Sequence, residues 1–265
     1  MATITLLTDF GLDNWFAGVM KGVIRNINPA AEVIDISHSV KNFSVHAGAF
    51  VLKNSFQFFP KETVHVVVVD PGVGSARHAI MVETERYFFI APDNGVLSYA
   101  LDSENVRRFI CLDNDKFFIR PVSSTFHGRD IFAPVAAHLS AGVDPAEFGS
   151  EIDQITRLPK SEPRPLTTKE LLGCVIYVDN FGNLITNISR SNLEEAPAKF
   201  KTGFIRISIR DKEIRKISSS YAEGVEGELI AVIGSSDYLE IAINKGNAAE
   251  ELNIREGDEF ILKAV

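Results

Sequence analysis

The 265-residue chain is short of several things, and each shortage removes a class of protein. It has two cysteines, Cys111 and Cys174, far apart and without CxxC or other metal-type spacing. Disulfide frameworks and the usual zinc sites are thereby disfavoured, and both thiols read as small buried hydrophobes. No apolar run approaches the roughly 18 residues that a membrane span needs. The opening Thr3-Ile4-Thr5-Leu6-Leu7-Thr8 has no basic region ahead of an apolar one, so the expected compartment is a reducing cytoplasm, with no membrane partner. Positive charge is also scarce: 27 Lys and Arg against 35 Asp and Glu leave a formal net charge of −8. General nucleic-acid binding needs a concentrated basic face, so no nucleic-acid partner is expected. There is no internal repeat and no low-complexity tract.

What is present is globular: 45% hydrophobic and 23% charged residues, enough chain for one large domain or two ordinary ones. The strongest single signal is Val64-His65-Val66-Val67-Val68-Val69, valine-rich without alternation, which predicts a strand covered on both faces. Asp70 is the first polar side chain beyond it. Ligands of open α/β sheets sit past the carboxyl ends of strands, so a carboxylate there, followed by Pro71-Gly72, is a site candidate; alone, it could equally be a turn former.

The rest of the chain alternates around that strand. Ile4 to Thr8 reads as a strand, Asp13 and Asn14 offer caps for a helix over Trp15 to Ile27, and Val33 to Ile36 reads as the next strand. A helix starting at Ser44 stops before Pro60, and Ala79 to Glu83 with Tyr87 to Ala91 suggests a hairpin. Pro92-Asp93-Asn94-Gly95 opens a short helix to Leu101, and an Ala-rich helix spans about Ile131 to Ala141. Prolines cluster at Leu158 to Pro165, which predicts an extended linker, about 158–168. Beyond it, short β-type runs (Cys174 to Val178, Leu184 to Thr186, Phe204 to Ile209, Leu229 to Ile233, Tyr238 to Ile243, Phe260 to Leu262) are separated by Gly, Asn and Ser turns. The fold class expected is α/β: an N-terminal α/β domain with a mainly parallel central sheet, residues 1–160, joined to a C-terminal antiparallel β-barrel or sandwich, residues 161–265.

Four clusters join hydrogen-bonding side chains to glycine: Thr8-Asp9-Phe10-Gly11, Asp70 to Arg77, Phe126-His127-Gly128-Arg129-Asp130, and Val178 to Asn183. Singly, each is open to a bland reading. Asp9 can cap a helix, His127 can be a hydrogen-bonded structural histidine, and Arg77 can be a surface charge.

Together with Ala91-Pro92-Asp93-Asn94-Gly95, the Asp179 to Asn187 segment and Ser235-Ser236-Asp237-Tyr238-Leu239, these stretches resemble the family of S-adenosylmethionine-cleaving proteins. That family holds the fluorinase and chlorinase and the S-adenosylmethionine hydroxide adenosyltransferases, the adenosine-forming hydrolases. The resemblance covers almost the whole chain. It implies a homotrimer in which substrate lies between the α/β domain of one subunit and the β domain of its neighbour. It also implies an Asp, Arg, His triad at Asp70, Arg77 and His127, where the fluorinase-like branch has tyrosines at the Asp and His positions and a halide-contacting Ser where this chain has Gly128. Carried over residue by residue, Asp9 resembles the ribose-diol acceptor, Phe43 an aromatic wall of the ribose, Asp179 the partner of the methionine ammonium, and Asn183 the reader of the adenine edge. Ser235 and Ser236 fall where the methionine carboxylate binds, although the fluorinase-like branch has Arg at the second position. Asn244 falls beside the adenine. Ordinary turn chemistry is the alternative for Ser235, Ser236 and Asn244.

The chemistry of such a reaction is compatible with these residues. A sulfonium leaves as a neutral thioether, so cleaving C5′–S needs mainly an oxygen nucleophile held in line; no metal and no cofactor is required. Arg77 can fork onto Asp70, and the pair can orient His127 and a water, with either the imidazole or the pair assisting deprotonation. The expected activity is therefore hydrolysis of S-adenosyl-L-methionine to adenosine and L-methionine. Two alternatives stand beside it: a metal-dependent phosphohydrolase using Asp9, Asp70, Asp93, His127 and Asp130, and a non-catalytic sensor of S-adenosylmethionine or adenosine.

Overall fold

The computed structural model describes residues 2–195 and 205–264. The chain forms two compact units, Met1–Leu158 and Pro159–Val265.

The first unit is built on a seven-stranded sheet. Its strands are β1 (Thr3–Thr8), β2 (Glu32–Ser37), β3 (Val64–Val68), β4 (Ala79–Thr84), β5 (Phe88–Pro92), β6 (Val106–Cys111) and β7 (Glu151–Ile152), in the spatial order β2-β1-β3-β5-β4-β6-β7. From β2 to β5 neighbouring strands run parallel; β4, β6 and β7 extend the sheet by antiparallel pairing. The valine strand thus lies inside the parallel half. Val64, Val66 and Val68 face one core with Ile4, Leu6, Met20, Ile24 and the alanines of a helix that follows His127. Val67 and Val69 are equally buried on the other side, which is why the run does not alternate.

Helix α1 (Phe16–Ile27) connects β1 to β2. Its N-cap position is Trp15, without a side-chain cap, so Asp13 and Asn14 do not play the capping role expected of them. Helix α2 (Val45–Lys53) does start as expected, with the Ser44 side chain accepting from the Ala47 amide. Helix α3 (Ser98–Leu101) is a single turn. The Ala-rich helix departs from the expected span: a π-turn over Gly128–Phe132 precedes α4 (Ala133–Ser140). Among the described residues no helix is long and apolar enough to cross a membrane.

The second unit is a nine-stranded sheet of barrel type. It contains β8 (Arg164–Thr167), β9 (Glu170–Val178), β10 (Leu184–Ser189), β11 (Ile205–Ile209), β12 (Lys212–Ile214), β13 (Ile217–Ser218), β14 (Leu229–Ile233), β15 (Tyr238–Ile243) and β16 (Glu259–Ala264), with short helices α5 (Arg190–Glu195) and α6 (Ala248–Glu251). The order is β12-β11-β16-β9-β10-β15-β14-β13, with β8 on β9. Strict alternation builds its interior: Ile205, Ile207 and Ile209 of β11 and Phe260, Leu262 and Ala264 of β16 point into one core while Arg206 and Ile261 do not. Pairing is antiparallel throughout except for β13 beside β14. Phe204, the expected first residue of β11, lies outside the described residues.

Candidate active site

Parallel pairing brings the carboxyl ends of β1 and β3 to one edge, and two candidate carboxylates stand there. Asp9 follows β1; its Oδ2 accepts from the Phe43 amide at 2.8 Å. Phe43 itself holds a positive φ of 64° and is 71% exposed, so its ring is presented outward rather than packed. Asp70 follows β3, whose end is fixed by Asn94: the amide Nδ2 donates to the Val69 carbonyl at 2.8 Å.

Beyond Asp70 the chain curls back on itself, Val73 N donating to Asp70 O at 3.2 Å and Ser75 N to Gly72 O at 3.0 Å, and so returns Arg77 to Asp70. The guanidinium forks onto the carboxylate, with Nε 2.9 Å from Oδ1 and Nη2 on Oδ2. The same Nη2 lies 2.8 Å from His127 Nδ1. Arginine only donates, so Nδ1 accepts, and the neutral imidazole carries its proton on Nε2. Burial depresses the His127 pKa and the Arg77 charge depresses it further, against smaller opposing effects of Asp70, Asp130 and a backbone hydrogen bond with Ser123.

The two loops that supply the triad touch through glycine. Gly74 has φ +76°, and a Cβ there would sit 2.2 Å from the Ser124 carbonyl oxygen. Only glycine lets the 70–77 turn lie against the 123–127 loop this closely. Gly128 is confined too, with a Cβ position 3.1 Å from both Met20 Sδ and Phe126 Cε2.

Asp9, Phe43, Asp70 and His127 line one cavity of about 250 Å³, walled by Phe10, Phe16 and Phe126, with Arg77 bonded to two of its lining residues. Phe126 meets Phe10 and Phe16 edge-on at 5.8 and 5.0 Å, giving a rigid aromatic wall. The Asp9 pKa is raised, chiefly by burial, with the Asp70 charge adding to backbone-opposed effects. An apolar wall beside two carboxylates suits a ligand with an aromatic part, a diol and a positive charge. Asn42 and Thr125 also line the cavity; neither is a candidate from the sequence, where their only signal is adjacency to Phe43 and to the His127 loop.

The remaining carboxylates of the phosphohydrolase alternative are engaged separately. Asp93 accepts from Thr156 N at 2.7 Å, and Asp130 is bound to Arg129 and to Ser123 N. Among the described residues, no three His, Cys, Asp or Glu side chains stand together as metal ligands.

The other candidates belong to the second unit and are tied into their own turns. Asp179 Oδ1 accepts from the amides of Phe181 and Asn183, and its Oδ2 from Asn183 Nδ2 at 2.9 Å. Ser235 and Ser236 occupy the turn between β14 and β15; Ser236 Oγ is buried with no hydrogen-bond partner among the described residues. Asn244 donates from Nδ2 to Gly224 O at 2.7 Å, bracing the 224–228 loop.

Known proteins match the chain along most of its length. Residues 4–149 match the family model of the SAM hydroxide adenosyltransferase N-terminal domain, and residues 173–261 that of the C-terminal domain. A relative in Methanocaldococcus jannaschii named (R)-S-adenosyl-L-methionine hydrolase is 39% identical, over 97% of this chain and 94% of its own. A fluorinase of an Actinoplanes species is 26% identical over 96% of this chain and 95% of its own. The crystal structure of an uncharacterized conserved protein from Thermotoga maritima superposes with a TM-score of 0.88 at 38% identity, covering 98% of this chain and 99% of that one.

Proposed function

The chain belongs to the SAM hydroxide adenosyltransferase family, and from that premise we propose that it hydrolyses S-adenosyl-L-methionine to adenosine and L-methionine. The observation that carries the reading is the bonded chain Asp70, Arg77, His127 beside a cavity that also presents Asp9 and Phe43. Water attacks C5′ from the side opposite sulfur and forms the C5′–O bond. The C5′–S bond breaks with both electrons going to sulfur, which leaves as the neutral thioether of methionine, and one proton departs to solvent. Asp70 fixes Arg77 and Arg77 fixes His127, so the three form a preformed cradle for the attacking oxygen; positioning of this kind is worth roughly 7–11 kcal/mol of barrier. With Nδ1 accepting from Arg77, His127 acts in its neutral form. Gly128 offers no hydroxyl to a halide, in keeping with water as the nucleophile.

In the same reading Asp9 takes the ribose hydroxyls, Phe43 walls the sugar, Asp179 meets the ammonium, Asn183 and Asn244 face adenine, and Ser235 and Ser236 meet the methionine carboxylate. The protein acts in the cytoplasm as a homotrimer, with the α/β unit of one subunit and the β unit of a neighbour completing each site. The relatives' name adds a refinement: "L" already fixes Cα, so "(R)" describes the sulfonium, and we extend the proposal to preference for that epimer. The test is product analysis with each sulfonium epimer, with and without chloride or fluoride. Adenosine and methionine in equal amounts, faster from the (R) epimer and unaffected by halide, are expected. Tight binding without product would instead make the protein a sensor, and 5′-halogenated nucleoside would make it a halogenase.

A further inference from the structure

Asp130 is completely buried, outside the triad, and has a connected set of partners around the loop that carries His127. Arg129 Nε donates to its Oδ1 at 2.5 Å and Nη2 to its Oδ2 at 2.9 Å. The same Oδ2 accepts from the Ser123 amide at 2.8 Å, closing the segment 123–130 into a loop. Inside it, Ser123 Oγ accepts from Phe126 N at 3.0 Å, and the π-turn sends both Arg129 N and Asp130 N to Phe126 O at 3.2 Å. The Asp130 carbonyl accepts from Ile119 N at 2.9 Å, fastening the loop from outside. Arg129 also covers the Phe126 ring, 5.4 Å from its centroid. The loop so closed presents Thr125, Phe126 and His127 to the cavity, where His127 Nδ1 meets Arg77 Nη2.

A buried carboxylate needs partners, and here Arg129 forks onto both oxygens while the Ser123 amide adds a further bond to Oδ2. The Ser123 bond is the one that closes the loop carrying His127. We propose that Asp130 is a positioning residue for the hydrolysis: by closing the 123–130 loop through the Ser123 amide it holds the His127 ring with Nδ1 toward Arg77, and so in the Nε2–H form. This inference rests on the hydrolase reading but makes a claim about the free protein as well. The charged groups acting on His127 are Arg77 and Asp70 from the turn after β3 and Asp130 from the π-turn; Asp9 lies across the cavity.

The signs of their effects provide the test. The Asp130 charge favours protonated His127, so Asp130→Asn moves the acid limb of kcat/KM to lower pH. Arg129→Gln leaves that charge unbalanced and moves the limb to higher pH. Both variants loosen the ring, and kcat falls, by about 10²-fold where misplacement of the order of 1 Å results, with KM little changed. In the free protein, the ¹⁵N signature of His127 changes from a single Nε2–H tautomer to a mixture. The inference is overturned if both folded variants keep the wild-type signature and acid limb, or if both limbs move in the same direction. Should Asp130→Asn not fold, Arg129→Gln, with its half-exposed side chain, decides alone by the direction of its shift. A wild-type protein that makes no adenosine would defeat the hydrolase reading, while the ¹⁵N spectra would still decide whether Asp130 governs the ring.

Discussion

The two units hold their candidate site residues in opposite ways. In the α/β unit, residues distant in sequence bond to one another: Arg77 bridges Asp70 and His127, and Asp9 accepts from the Phe43 amide. In the β unit, Asp179, Asn183 and Asn244 bond within a few residues or across one hairpin end. Parallel strands deliver several loops to one edge, where side chains find partners from other loops. Hairpins return the chain at once, and Asp and Asn then satisfy the turn itself. The first arrangement makes chemistry depend on long-range contacts; the second makes the same residue types depend on local ones.

Mutation should separate the two. Arg77→Ala removes the shared partner of Asp70 and His127 and should lower kcat by about 10²–10³-fold, as loss of a preorganised donor does, while calorimetry still detects adenosine binding. Equal loss of binding and turnover would reassign Arg77 to substrate holding. Gly74→Ala attacks the contact between the two triad loops, since both the positive φ and the Ser124 carbonyl oppose a Cβ. It should cost about 1–3 kcal/mol in denaturant unfolding together with a fall in kcat; unchanged kinetics would show that the loops need not touch.

Acid should also act on the two units with opposite sign. His65 is buried among Phe56, Phe59, Tyr87 and Phe89, and burial lowers its pKa from 6.5 to about 3. The unfolded chain binds the proton first as pH falls, so this group destabilises the α/β unit progressively from pH 6.5 down to about 3, by about 1.4 kcal/mol per pH unit. Glu240 of the β unit, bonded to the Tyr221 hydroxyl, has its pKa raised above 4.5, mainly by burial. The folded state binds that proton first, so the contribution is present below pH 4.5 and is lost as pH rises through the folded pKa. Hydrogen exchange measured between pH 7 and 4 should show the α/β core losing protection relative to the β core, and His65→Phe should flatten the difference; an unaltered slope in that variant would exclude His65 as its source. The smallest effect is expected at Asn244. Replacing it with Ala removes the bond to Gly224 and should cost about 1 kcal/mol, read as a shift in unfolding midpoint.

Much of this is legible in the sequence alone. Strand β3 announces itself by a valine-rich run without alternation, and helix α2 by Ser44. Strand β6 does not, because Arg107 and Arg108 interrupt its pattern; both pair with Glu83 on neighbouring β4, a partner that only the folded sheet supplies. The helix after His127 was expected to begin at Ile131, yet the π-turn needs the Ser123 to Asp130 closure, which sequence spacing does not reveal. Asp70 is a candidate from its place beyond the buried strand, whereas its grouping with Arg77 and His127 comes from the family resemblance rather than from spacing. Their mutual bonds arise from a turn that doubles back and from a glycine contact between loops. In the β unit, turn chemistry alone accounts for the bonds of Asp179 and Asn244, and the substrate-binding role proposed for them rests on the resemblance.

The most direct measurement is turnover of S-adenosyl-L-methionine in H₂¹⁸O, followed by mass analysis of the nucleoside. A triad that aims solvent at C5′ should give adenosine carrying one ¹⁸O at the 5′ position, and Arg77→Ala should lose that product. Unlabelled adenosine, or no nucleoside product from the wild-type protein, would contradict the account.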